Sequence, residues 1–227
     1  RQHHEFLPDA VRTFLAVDGN GSRAGQRACL DPVAVHAQFG RGPTQVAERA
    51  ETDGHAYAID LVDQIVDLNK GIYLDPDLKN TMATDFCIGV AGYPEKHFEA
   101  PNPDSDLRWL KKKVERGAEY VITQMFFDNE RYFDFVNRCR AAGIDIPIIP
   151  GIKPLTTASQ LHVLPQVFHV DLPEALVQSV DAAKSRDQVK KAGMDWCTQQ
   201  AEELLDRGVP TLHFYTMGKA MPTQEIA

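Results

Sequence analysis

Tyr93, Glu95, Lys96, His97 and Glu99 fall within seven residues, directly after the apolar run that ends at Gly92. Their side chains can donate hydrogen bonds, exchange protons near neutral pH and attract anions. α/β proteins bind their ligands where a strand passes into the next helix, so this cluster should line a site. The plainer reading is a solvated charged loop, with the His97 ring satisfied by Glu95 or Glu99. Metal ligation by His97 and Glu99 is a third reading, but no second histidine stands at ligand spacing. Asp106 and Lys113 lie seven residues apart, which is two turns along one stripe of a helix, so both can point to one ligand. Against that, Asp106 suits a helix N-terminus by its charge, and Lys113 belongs to the run Lys111, Lys112, Lys113. Gln124 closes a buried-looking strand, where a neutral amide can both give and accept hydrogen bonds or serve only the core.

These residues need elements to hold them. Ala58, Leu61, Val62, Ile65, Val66 and Leu68 follow helical spacing and predict an amphipathic helix over 56–69. A polar excursion covers 70–85. Regular alternation follows: strands over 86–91, 120–126, 146–150 and 211–215, and helices over 104–116, 130–142 and 157–164, from 174, and over 187–207. Such alternation implies parallel strands with crossover helices, each strand apolar because both faces are covered. The first fifty residues lack a sustained period of either kind. There, 11–17 reads as a short strand or a helical turn, and 19–25 as a loop.

Composition narrows the classes. With 227 residues, 43% hydrophobic and 25% charged, the chain can bury one good core. A net charge of -8 without a Lys/Arg stripe argues against nucleic acid or an anionic membrane as partner. Cys29, Cys87, Cys139 and Cys197 form no CxxC or zinc-type spacing and read as reduced thiols of a cytoplasmic protein. No run of eighteen apolar residues and no signal-peptide pattern occurs, and a chain that opens at Arg1 is expected to lack its natural N-terminus.

Five segments in unbroken order carry a resemblance: GVAGYPEKHFEAPN (89–102), YVITQMFFDN (120–129), IPIIPGIKPLTT (146–157), LHVLPQVFHVDLPEAL (161–176) and LHFYTMGK (212–219). Together they resemble the methylenetetrahydrofolate reductase family over about residues 54–219. The resemblance implies a (β/α)8 TIM barrel carrying FAD, which NADH or NADPH reduces. Reduced FAD then converts 5,10-methylenetetrahydrofolate to 5-methyltetrahydrofolate, a step of one-carbon metabolism and methionine biosynthesis. It also implies FAD contacts at Tyr57, Ala58, Tyr93, His97, Asp106 and Lys113, and folate contacts at Gln124, Gln160 and Tyr215. Leu164 would stand where some members place an aromatic ring, and Lys219 at a basic position near the folate tail. The resemblance implies no metal.

The match has a limit. A closed barrel of eight units typically takes about 250 residues, whereas four units occupy 86–227 here. The expected architecture is therefore an incomplete barrel, with 54–227 as its C-terminal part and 1–53 unassigned. Where the family carries Leu-Arg-Gly-Asp, with an Asp beside the flavin, this chain reads Gly40, Arg41, Gly42, Pro43. Glu5, in Glu5-Phe6-Leu7-Pro8, echoes the family's acid. Yet too few residues separate it from Pro43 for the three strands and helices that belong between them. The expectation is an intact C-terminal half, an N-terminal half missing, replaced or read out of frame, and a lost catalytic acid; no catalytic residue is assigned. Open sheet edges would favour self-association into homo-oligomers. A flavin-binding remnant without turnover, and a metal-dependent hydrolase using His97, Glu99 and His169, are the rival classes.

Overall fold

The computed structural model describes residues 13–14, 55, 57–216 and 221–226. Its centre is a parallel sheet of four strands in sequence order: β3 (Gly89–Gly92), β4 (Tyr120–Met125), β5 (Ile148–Ile152) and β6 (His213–Phe214). Two short strands, β1 (Thr13–Phe14) and β2 (Phe86–Cys87), pair in parallel beside it. The strand expected over 86–91 is thus split at Ile88, whose carbonyl accepts from Glu119 N at 2.7 Å. It serves β1 with one half and β4 with the other. Of 11–17, read as a short strand or a helical turn, the described residues 13–14 form β1, while 19–25 and Gly40 to Pro43 lie outside the described residues.

Helices fill the crossovers, and their ends follow local chemistry. Helix α1 (Ala58–Asn69) buries Val62 and Ile65, and the Tyr57 backbone N–H donates to the Asp60 carboxylate at 3.2 Å. Helix α2 (Pro103–Glu115) opens with Asn102 accepting from Ser105 N at 2.8 Å and with proline in its first turn. Helix α3 (Asn129–Ala141) is capped by Asp128, which accepts from Glu130 N at 3.0 Å. Between β5 and β6 come α4 (Gln160–Phe168), α5 (Glu174–Asp181) and α6 (Arg186–Asp206), and α7 (Met221–Gln224) follows the last strand. Among the described residues, no helix is long and apolar enough to cross a membrane.

All six residues of β4 are buried, so this strand is the axis of the core. Val121 and Phe126 join Val90, Leu110, Phe135, Ile152 and Leu204 under the helices. Tyr120 and Ile122 face the other way, onto Cys87 and Ile149. A further cluster of Met125, Phe127, Leu155, Leu164, Leu176 and Val180 fills the end beneath α4 and α5. Cys87, Cys139 and Cys197 are unbridged, and burial pushes the thiols of Cys139 and Cys197 up to about 11 and about 12. Cys29 lies outside the described residues.

Candidate functional site

The polar loop leaves β3 through Gly92, where a methyl group would meet Val121 Cγ1 at 2.6 Å and the Phe135 ring at 2.9 Å. Phe98 and Glu99 are exposed, and the Glu99 carboxylate lies 3.9 Å from His97 Nδ1, as the plainer reading has it, but the rest of the loop is tied down. The Lys96 ammonium turns back on its own backbone and donates to the carbonyls of Ala100 at 2.7 Å, His97 at 3.1 Å and Phe98 at 3.4 Å. Arg138 of α3 donates to Pro94 O at 3.2 Å, and His97 N donates to Asp106 Oδ2 at 3.0 Å. Rings continue the order: Tyr93 meets His97 edge-on at 4.6 Å, His97 meets Phe98 at 4.8 Å, and Phe98 stacks on His169 at 4.7 Å. Lys96, a candidate for chemistry by type, is thereby spent on shaping the loop.

Tyr93, His97, Asp106 and Lys113 come together as expected. Burial lowers the His97 pKa below its usual value, while Asp106 and Glu99 oppose the shift, so its imidazole is neutral at pH 7. Its Nδ1 accepts the Glu99 amide at 3.3 Å, which leaves the proton on Nε2 as a donor. Burial, with Asp106 and Glu99, pushes the Tyr93 hydroxyl up to about 12 and keeps it protonated. Lys113 reaches Ala91 O at 3.3 Å and makes no ion pair among the described residues. Burial lowers its pKa, against the pull of Asp106. A desolvated lysine nitrogen held by one carbonyl and near the neutral His97 ring is a chemical match for a phosphate, whose negative charge would favour its ammonium form. Asp106 uses Oδ2 on the loop, and Oδ1 has no hydrogen-bond partner among the described residues, leaving it to accept from a hydroxyl.

Gln124 and Tyr215 sit at the carboxyl ends of neighbouring strands. Pairing of β4 with β5 slips between Ile122 and Met125, a bulge that takes Gln124 out of the regular ladder. Gln124 is 6% exposed; its Oε1 accepts the Met125 amide at 2.9 Å, and its Nε2 has no hydrogen-bond partner among the described residues. The Tyr215 hydroxyl donates to Thr123 O at 2.9 Å, and Tyr93 lies close enough to help burial raise the Tyr215 pKa. A groove lined by Tyr93, Glu95, Lys96, Gln124, Phe168 and His169 joins this side to the loop.

Other candidates stand apart. Gln160 spends its carbonyl oxygen on the amides of Thr156 at 2.7 Å and Thr157 at 3.0 Å, holding the turn before α4 and keeping only its amide N–H groups for a ligand. Leu164 is buried in the cluster with Met125 and Phe127. Tyr57 is exposed at the start of α1, and no hydrogen bond or ring contact joins it or Ala58 to the other candidates among the described residues. Glu5 and Lys219 lie outside the described residues.

Two residues carry more weight than the sequence suggested. Lys153, 6% exposed and one residue past β5, approaches Tyr215 O at 3.4 Å. Its signal was a lysine inside the apolar run of 146–155. Glu95 has its carboxyl pushed up to about 7 by burial, which outweighs the hydrogen bond it accepts from Asp171 N at 3.1 Å. Its acidic neighbours in the sequence made it look like one more solvated charge.

Comparison with known proteins identifies the family. The family profile described as Methylenetetrahydrofolate reductase matches residues 35–227, beginning upstream of the boundary drawn at residue 54. The chain is similar to Methylenetetrahydrofolate reductase 2 of Saccharomyces cerevisiae, 40% identical over 144 residues that cover 62% of this chain and 24% of that protein. It is 32% identical to Methylenetetrahydrofolate reductase 1 of Schizosaccharomyces pombe over 203 residues, 88% of this chain and 31% of the relative. With 5,10-methylenetetrahydrofolate reductase of Escherichia coli it shares 40% identity over 137 residues, 60% of this chain and 46% of that one. The matched regions thus span less than half the length of each of these relatives. With its profile match running from residue 35 to residue 227, the chain belongs to the methylenetetrahydrofolate reductase family.

Proposed function

We propose that this chain forms the C-terminal part of a flavin-dependent (β/α)8 barrel that reduces 5,10-methylenetetrahydrofolate to 5-methyltetrahydrofolate, with NADH or NADPH as reductant. The observation that carries the reading is Lys113: an ammonium withdrawn from water, with one carbonyl on it and Asp106 on the same helix, at the carboxyl end of β3. That is the environment a flavin pyrophosphate would complete, and His97 Nε2–H beside it adds a neutral donor. Asp106 Oδ1 would accept from a ribose hydroxyl, and Tyr57 and Ala58 would border the same cofactor from the start of α1.

FAD, when bound, supplies hydride chemistry. The chain's own task is to position and to exclude water. Gln124 presents an amide N–H from a buried bulge to the edge of a folate ring, with Tyr215 at the end of the sheet and Gln160 at the start of α4 as its further contacts. The Tyr215 ring is fixed by its bond to Thr123 O, so the wall beside Gln124 is stiff. Among the described residues the central parallel sheet has four strands, half of what an eight-stranded barrel requires, and a barrel left incomplete would favour self-association.

A second reading, flavin binding without folate turnover, is favoured by Gly40 to Pro43 standing where the family has its flavin-side carboxylate. Purified protein separates the two. A flavin absorption band with nicotinamide oxidation by a quinone acceptor, and then by methylenetetrahydrofolate, is expected for the full activity. Quinone activity alone leaves the binding-only reading, and colourless protein that takes up no added flavin contradicts both.

A further inference from the structure

The 93–100 loop touches the corner between α4 and α5 in two independent ways. Glu95 Oε2 accepts the Asp171 amide at 3.1 Å, bridging 76 positions of sequence. Phe98 stacks on His169 at 4.7 Å with the rings 23° apart. The corner itself has an uncommon shape. His169 ends α4 in the left-handed region, φ 54°, where a side chain costs about 1–2 kcal/mol. Its amide is taken by Pro165 O at 3.0 Å, and Val170 next to it is 3% exposed. The corner is therefore anchored from below by Val170 and from across the groove by Glu95. Between the two sides runs the groove with Gln124 and Met125 at its inner end.

We propose that Glu95 is a positioning residue: it clasps the His169 to Asp171 corner onto the 93–98 segment and sets the width of the opening that leads to Gln124. The inference rests on the folate reading above for what passes through that opening. Lys96 and Arg138 hold the loop side rigid, so the corner is the side that moves when the clasp is lost. Of the flavin-side residues, Tyr93 borders the groove, whereas the His97 backbone and Lys113 keep their own anchors in Asp106 and Ala91 O. Loss of the clasp should weaken the folate and leave the flavin untouched.

Amide hydrogen exchange by NMR on the 227-residue chain tests the contact directly. In Glu95→Ala, Asp171 amide protection should fall about tenfold, within the range expected for loss of one hydrogen bond. Glu95→Gln, whose amide oxygen still accepts, should retain part of it. Phe98→Ala, which leaves the carboxylate in place, should loosen the corner less. Titration with 5-methyltetrahydrofolate should give several-fold weaker binding to Glu95→Ala and unchanged FAD binding. Equal Asp171 exchange in wild type and Glu95→Ala overturns the clasp, and so does lost protection with undiminished folate affinity. A wild-type chain that binds no folate overturns the substrate reading instead, and the exchange comparison still decides the clasp.

Discussion

Replacing Gly151 by alanine should damage fold and site together. Gly151 lies in β5 between Met125 of β4 and His213 of β6. A methyl group there would lie 2.3 Å from Thr123 O and 2.6 Å from Tyr215 Cε2, where ordinary contact begins at 3.4 Å. Neither neighbour can step aside cheaply. Thr123 belongs to a fully buried strand, and the Tyr215 ring is tied to that same oxygen at 2.9 Å. Relief must spread β4 from β5 by about 1 Å or push the ring away. Overpacking of this kind costs about 1–3 kcal/mol. Weakening the bonds Gly151 N to Thr123 Oγ1, at 2.9 Å, and Tyr215 to Thr123 adds about 1 kcal/mol. The sum, about 2–4 kcal/mol, is a large share of a typical stability of about 5–15 kcal/mol and lowers Tm by about 5–15 °C. Urea unfolding followed by circular dichroism measures it, with Gly208→Ala as the control. Gly208 has φ 88° and nothing within 4 Å of an added methyl, so its substitution carries only the left-handed backbone cost of about 1–2 kcal/mol. If Gly151→Ala costs no more than Gly208→Ala, the close approach of β4, β5 and Tyr215 is wrong.

Other outcomes follow from the same contacts. Burial raises the Glu95 carboxyl from 4.5 to about 7 despite the Asp171 amide; Asp171 and Asp128 add to the rise and Arg131 opposes it. The folded chain then binds this proton more tightly than the unfolded one, so its contribution to stability falls as pH climbs from about 4.5 through about 7. Glu95→Gln should flatten that part of the stability profile, and an unchanged slope between pH 5 and 7 would refute the buried carboxyl. Asn129 is buried and donates to Gln200 O at 3.1 Å and Glu203 Oε2 at 2.8 Å, joining α3 to α6. Asn129→Asp sets a carboxylate against Glu203 and should cost about 2–4 kcal/mol at pH 7 by urea unfolding; a change under about 0.5 kcal/mol would contradict the contact.

Much of the architecture was legible because parallel strands covered on both faces must be apolar throughout. The run 120–126 could hardly be anything else, and β4 forms there. The misreadings have physical causes. The third strand, expected over 146–150, forms over Ile148–Ile152 and takes in Gly151, where the absence of a side chain lets Thr123 O and the Tyr215 ring approach closely. The helix expected over 157–164 runs instead over Gln160–Phe168, passing through Pro165 and starting where Gln160 ties down the preceding turn. Tyr93, His97, Asp106 and Lys113 could be named from motif and helical spacing. The desolvation of Lys113 and Glu95 could not, since neighbours distant in sequence remove their water. Asp171 N meets Glu95 across 76 positions, a contact that no local pattern announces.

Flavin binding is the claim on which the functional reading stands. Titration of the chain with FAD, followed by quenching of flavin fluorescence, measures it for wild type and Lys113→Met, with unfolding curves showing that both are folded. Saturable binding by wild type and at least tenfold weaker binding by the variant are predicted, as for loss of a charged hydrogen bond to phosphate. Wild type that does not bind FAD, or a variant that binds it equally well, would contradict the assignment of this site.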